Sequence, residues 1–111
     1  MSRYAKGRAY EWKIRRVIEA QCPDWLVIRS AGSKGPADLV CIGPTDDQRG
    51  CKPVLIQAKT KKPTRSEMWK LREAEKLWDG HWCLVSPGAV YGGGHLPVGM
   101  AEALEAAANV R

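Results

Sequence analysis

The 111-residue sequence has no phenylalanine, two histidines and no hydrophobic run long enough to cross a bilayer. Its N-terminal stretch is basic but has no apolar segment behind it, so we expect no signal peptide. These absences predict a soluble protein of the cytoplasm, or of the host cytoplasm if a phage encodes it. The glycine run at 92–94 is not followed by Lys-Ser or Lys-Thr, so we predict no phosphate-binding loop and no nucleotide cofactor.

Close cysteine pairs are also missing. The four cysteines are Cys22, Cys41, Cys51 and Cys83, and none belongs to a Cys-x-x-Cys motif. Structural zinc sites use four ligands, usually in two close pairs. We therefore expect free thiols in a reducing compartment rather than a zinc centre.

Acidic residues are scarce in the first two thirds of the chain. Residues 1–72 hold 16 Lys/Arg against 7 Asp/Glu, whereas residues 73–111 hold 2 against 5. A single basic run is most often a solvated surface, but an excess confined to one part of a small domain favours a polyanion such as DNA. A membrane surface is the weaker alternative, because no helix combines a basic face with a large apolar one.

The order of the periodic segments predicts one α/β domain over residues 1–111. Apolar residues at helical spacing predict a helix over 4–21, which Pro23 ends. A capping-box pattern, Thr64-x-x-Glu67, begins a second helix that stops at Asp79-Gly80. An alanine-rich segment predicts a third helix over 100–109.

The β-prone runs complete this prediction. They place strands at 25–30, 38–42, 53–60 and 81–85, with loops at 31–36, 45–52 and 87–98. The expected order is α-β-β-β-α-β-α, which corresponds to a central mixed β-sheet flanked by helices.

One predicted strand carries polar side chains. In segment 53–60, alternation puts Val54, Ile56 and Ala58 on one face and Gln57 and Lys59 on the other. A half-exposed edge strand explains this pattern by itself.

Asp38 favours a different interpretation, because it begins a strand directly after a Gly/Pro loop, where a side chain can enter a cleft. Its carboxylate and the amide oxygen of Gln57 are ligands suited to a hard divalent cation such as Mg²⁺. Lys59 beside that metal would orient water or offset charge on a phosphate, and Glu11 could add a further carboxylate. The arrangement predicts metal-assisted hydrolysis of a phosphodiester bond.

These residues carry a family resemblance. Asp38, followed after 18 residues by Gln57-x-Lys59, resembles the PD-(D/E)xK nuclease signature. The surrounding segments resemble archaeal-type Holliday-junction resolvases over residues 5–86: Lys6-Gly7 with Glu11, the run from Arg29 to Asp38, and the run from Leu55 to Thr60. The resemblance implies a restriction-endonuclease-like nuclease fold and a homodimer that cuts two opposed strands of a four-way DNA junction with Mg²⁺ or Mn²⁺.

The resemblance also implies residue roles. It makes Glu11, Asp38, Gln57 and Lys59 catalytic, the first three of them as metal ligands, and Ser33 matches a loop serine that assists catalysis. The family pattern has an acid where this chain has Gln57, so metal affinity is expected to be lower here.

Arg29, Lys34 and the basic N-terminus match DNA-contacting positions of the family. The predicted DNA-binding residues share positive charge and would contact phosphates rather than bases: Arg3, Lys6, Arg8, Arg15, Arg29, Lys34, Lys61 and Lys62.

Two other functions remain open at this point. One is a nuclease of the same superfamily that acts on duplex, flap or nicked DNA. The other is a basic DNA-binding protein that keeps the fold but has lost cleavage. The five tryptophans could stack on bases, but in a chain without phenylalanine we expect them to be large core and interface residues.

Overall fold

The computed structural model describes residues 3–30, 37–44, 52–94 and 96–109. These residues contain three helices: α1 (Arg3–Gln21), α2 (Arg65–Leu77) and α3 (Val98–Ala108). They also contain five strands: β1 (Leu26–Arg29), β2 (Leu39–Ile42), β3 (Val54–Ala58), β4 (His81–Ser86) and β5 (Ala89–Gly92).

The strands form one mixed sheet in the order β1-β2-β3-β4-β5. All neighbours are antiparallel except β3 and β4, which are parallel. A parallel pair needs a crossover connection, and α2 provides it. This confirms the predicted α/β class, while the restriction-endonuclease-like topology stays a prediction.

Helices cover both faces of the sheet. On one face, Ile18 of α1 and Leu104 of α3 lie in a buried cluster with Ile56 of β3. On the other face, Leu71 of α2 packs with Leu84 of β4. The alternation predicted for β3 therefore separates two cores, and the end of this strand lies between α1 and α2.

Local sequence sets both ends of α2. The Thr64 hydroxyl accepts a hydrogen bond from the Glu67 N–H at 3.1 Å, and the Thr64 N–H donates to Glu67 Oε1 at 2.9 Å, which confirms the predicted capping box. After the helix, Gly80 has a φ of 151°, and a Cβ there would collide with the Leu55 side chain. Glycine at this position lets the chain enter β4 directly.

The segment 87–98, predicted to be a loop, contains β5. Ser86 pairs with Ala89 across the two-residue turn Pro87-Gly88, and the Gly88 φ of 85° suits the third position of a type II turn. The predicted order therefore omitted one strand. Four residues are too few for alternation to be visible in sequence, although the Pro-Gly turn was a usable signal.

The tryptophans were expected to be core and interface residues, and the structure confirms a core position for Trp82. Trp82 is buried, but Trp12, Trp69 and Trp78 are 40%, 62% and 50% exposed. These three rings lie at the surface of the chain, and the interface expectation for them stays a prediction.

The described cysteines are buried free thiols, Cys22, Cys41 and Cys83, while Cys51 lies outside the described residues. Burial raises the pKa of Cys41 to about 12, so this thiol stays protonated at neutral pH. None of the helices in the described ranges is both long enough and apolar enough to span a membrane.

Candidate active site

Helix α1 buries a carboxylate on its inner side. Glu11 is 7% exposed, and its Oε2 lies 3.5 Å from Nη2 of Arg29 on β1. Burial raises the pKa of Glu11, and the charge of nearby Asp38 raises it further, whereas the charge of Arg29 lowers it. The charge of Asp38 therefore acts on Glu11, which puts the two acids near each other.

Asp38 is held by three hydrogen bonds at the ends of neighbouring strands. Its N–H donates to the Ile56 carbonyl at 2.8 Å, and its carbonyl accepts from the Ser30 N–H at 2.9 Å. Its carboxylate Oδ2 accepts from the Ala58 N–H at 2.8 Å. These bonds fix the Asp38 carboxylate against the backbone between Gln57 and Lys59.

Gln57 and Lys59 belong to the end of β3. Gln57 lies opposite Leu84 of β4 and is partly exposed. Lys59 directly follows β3, and its N–H donates to the Val85 carbonyl at 2.9 Å, which extends the parallel pairing by one residue. Its ammonium Nζ lies 2.9 Å from Oε2 of Glu67 in α2.

Glu67 is a residue of this site that sequence reasoning assigned to helix capping alone. One of its carboxylate oxygens caps α2, and the other pairs with Lys59. The hydrogen bond from the Thr64 backbone lowers the pKa of Glu67 most, and the hydrogen bond and charge of Lys59 lower it further. A capping box uses only one carboxylate oxygen of its Glu. The sequence therefore allowed a second hydrogen-bond or ion-pair partner for the other oxygen of Glu67.

The structure therefore joins residues that are distant in the chain. Glu11 pairs with Arg29 and lies near Asp38 on the face that α1 covers, whereas Lys59 reaches α2 on the other face. The pairing of Arg29 with Glu11 was not predicted, because the resemblance implied a DNA contact for Arg29. That DNA contact stays a prediction.

The proximity of Glu11 to Asp38 suits a divalent cation. Carboxylate oxygens are preferred ligands of Mg²⁺, and a bound cation would offset the repulsion between neighbouring acids. Gln57 is the predicted third ligand. Within the described ranges, no three His, Cys, Asp or Glu side chains form a metal-binding group. The predicted metal ligands are two acids, Glu11 and Asp38, and one amide, Gln57, so they are not a group of that kind. Metal binding by these three residues stays a prediction.

The other predicted residues have varied surroundings. Ser33 and Lys34 lie outside the described residues, and Arg3 and Lys6 belong to α1 but their side chains lie outside the described part. Arg15 is partly buried, pairs with Glu19 at 3.3 Å and lies over the Trp12 ring at 5.1 Å. Among the members whose side chains are described, Arg8, Lys61 and Lys62 are exposed.

Replacing Glu67 should test its double contact. Glu67→Gln keeps an oxygen that can accept the Thr64 N–H but removes the charge that pairs with Lys59. We expect a loss of about 0.5–1 kcal/mol in the free energy of unfolding at neutral pH, from the lost ion pair and the lost negative charge at a helix N-terminus. Because the folded-state pKa of Glu67 is lowered, its charge stabilises the fold at neutral pH, and this stabilisation is lost as the pH falls through that pKa.

Urea unfolding at neutral pH and at several acidic pH values measures this effect. The difference between wild type and Glu67→Gln should disappear at low pH. Glu73→Gln is the matched control, because Glu73 forms an ion pair with Lys76 in the same helix at 3.5 Å but caps nothing. A difference that does not change with pH would contradict the prediction.

Comparison with models of protein families found no match for this chain, and comparison with curated proteins found none either. The assignment of a function therefore depends on the residues and the geometry described above. The strongest features are the buried Glu11 near Asp38 and the ion pair that holds Lys59 against Glu67.

Proposed function

We propose that this protein is a structure-selective endodeoxyribonuclease that resolves four-way DNA junctions. It would act as a homodimer and require Mg²⁺, for which Mn²⁺ can substitute. The observation that carries the proposal is the buried carboxylate of Glu11 near Asp38, whose own carboxylate accepts the amide N–H between Gln57 and Lys59. Burying the Glu11 carboxylate near a second acid is unfavourable for a protein core, and a carboxyl group with a raised pKa is typical of functional sites.

Each side chain would have a distinct role. Glu11, Asp38 and Gln57 would hold the metal ion through oxygen atoms, and bound Mg²⁺ supplies charge that acidifies a water molecule and neutralises the phosphate. Lys59 would place its ammonium group beside the phosphate to be cut, where negative charge grows during hydrolysis. Glu67 would be a positioning residue, because its contact with Lys59 holds that ammonium group against α2.

Selectivity for a junction would come from shape. Exposed cations such as Arg8, Lys61 and Lys62 would contact phosphates, and such contacts position a protein without reading bases. A four-way junction has two equivalent strands to cut, which suits the two symmetric active sites of a homodimer.

A cleavage assay tests the proposal directly. A labelled four-way junction and a linear duplex of the same sequence are incubated with the protein in Mg²⁺, Mn²⁺ or EDTA. We expect paired symmetric nicks in the junction with either metal and none in EDTA. Cutting of the duplex at an equal rate would favour another nuclease of the same superfamily. Binding without cleavage under all conditions would mean that the protein only binds DNA.

The amide at position 57 gives a further prediction. Gln57→Glu adds a carboxylate where the family pattern has an acid, so the variant should reach half-maximal cleavage at a lower Mg²⁺ concentration. We expect a shift of about tenfold, which corresponds to about 1.4 kcal/mol of added metal affinity. Titrating Mg²⁺ in the junction assay measures the shift.

Gln21→Glu is the matched control. Gln21 is exposed at the end of α1, so this substitution adds the same charge outside the site. An inactive Gln57→Glu variant would show that the amide has a role other than weak metal coordination.

A further inference from the structure

A groove of about 380 Å³ lies beside the first turns of α2. Three cations line it, Lys62, Arg65 and Arg72, together with the larger side chains of Met68, Trp69 and Tyr91. The described lining residues include no acid. The groove therefore combines an aromatic and apolar wall with a rim of positive charge.

Trp69 is the prominent feature of this groove. It is 62% exposed, whereas Trp82 on the same side of the sheet is 2% exposed. Arg65 and Arg72 precede and follow Trp69 by four and three residues in α2, so helical spacing puts both guanidinium groups on the same side as the indole ring. An exposed indole between two arginines has a face available for stacking.

The groove lies close to the candidate active site. Lys62 follows Lys59 by three residues, and Lys59 is tied to the first turn of α2 through Glu67. A DNA strand whose phosphate lies at Lys59 would therefore reach the groove within a short distance.

We propose that this groove binds one unpaired nucleotide of a DNA strand, with its base stacked on Trp69 and its phosphates at Arg65, Arg72 and Lys62. Aromatic stacking combined with cationic contacts to the backbone is how proteins bind single-stranded nucleic acid. The positive rim favours a polyanion over an apolar protein segment, and a base inside a duplex has no free face to stack. That the nucleic acid is DNA rests on the proposed function; the stacking and the phosphate contacts rest on the groove itself.

Binding measured in EDTA tests this inference without cleavage. The probes are a blunt duplex and the same duplex with a short single-stranded overhang that carries 2-aminopurine at its first unpaired position. Wild type should quench the 2-aminopurine and bind the overhang probe more tightly. Trp69→Ala should abolish the quenching and weaken overhang binding by roughly 5- to 150-fold, the range for loss of one base stack.

Two further variants separate stacking from general effects. Trp69→Phe keeps an aromatic face and should retain most of the affinity for the overhang. Leu77→Ala is the control, because Leu77 is a similarly exposed residue of α2, at 67%, and does not line the groove. Leu77→Ala should also quench 2-aminopurine as wild type does, whereas affinity is the readout for Trp69→Phe.

Two binding results would overturn the inference: unchanged overhang binding by Trp69→Ala, or an equal loss of affinity for both probes. A third result would be a wild-type dimer that becomes monomeric in the Trp69→Ala variant, measured by sedimentation. That result would mean that a second copy of the chain occupies the groove. A different result would reject the proposed function. Quenching that depends on Trp69 in a protein that cuts no junction with Mg²⁺ would support the groove and reject the nuclease.

Discussion

Asp38→Asn should reduce the rate of junction cleavage by at least about 10²- to 10³-fold, the scale of losing one well-placed electrostatic group from an active site. Asparagine keeps an oxygen that can accept the Ala58 N–H, now at 2.8 Å from Asp38 Oδ2, so the local backbone should hold. It removes the negative charge that would bind Mg²⁺. Affinity for the junction in EDTA should be largely unchanged.

Lys59→Met should have a similarly large effect for a different reason. Methionine is comparable in length but has no charge to place beside a phosphate, and it leaves Glu67 without its partner at 2.9 Å. Lys70→Met is the matched control, because Lys70 is an exposed lysine of α2 that belongs to no predicted site.

Single-turnover cleavage of the junction measures the rates of these variants. Binding in EDTA and urea unfolding establish that each variant is folded and still binds DNA. Cleavage by Asp38→Asn or Lys59→Met at the wild-type rate would show that this site assignment is wrong.

Binding to the junction should weaken steeply as salt is added. The logarithm of the binding constant falls with the logarithm of the salt concentration by about 0.9 for each phosphate contact in duplex DNA. A protein with six to ten such contacts loses roughly 10³- to 10⁵-fold in affinity between about 50 and 200 mM salt. The eight predicted DNA-binding residues put this chain in that range.

Removing exposed cations tests the same point. Arg8→Gln and Lys61→Gln should each reduce the slope of the salt dependence by about one, with similar effects on different DNA sequences. Lys76→Gln is the control, because Lys76 pairs with Glu73 in the last turn of α2, away from the candidate site. A salt-independent affinity for junctions would contradict phosphate-based recognition.

The helices and most strands could be predicted because their signals are local. Residues such as Ile14 and Ile18 recur at helical spacing in α1, and both are fully buried. The capping box of Thr64 and Glu67 marked the start of α2 to within one residue. The four-residue strand β5 was not predicted, because its formation depends on pairing with β4. The alternation of so short a segment does not indicate that pairing.

The candidate site likewise has a part that the sequence predicts and a part that depends on tertiary packing. The sequence by itself determined which residues could take part, because Asp38 follows a Gly/Pro loop and Gln57 and Lys59 alternate along a strand. Only the tertiary structure decided their partners: Glu11 with Asp38 and Arg29, and Lys59 with Glu67. The contacts of Glu11 join α1 to strands that follow it in the chain, and that of Lys59 joins the end of β3 to α2. Such contacts depend on how helices and strands pack, a property that residue spacing along one segment does not contain.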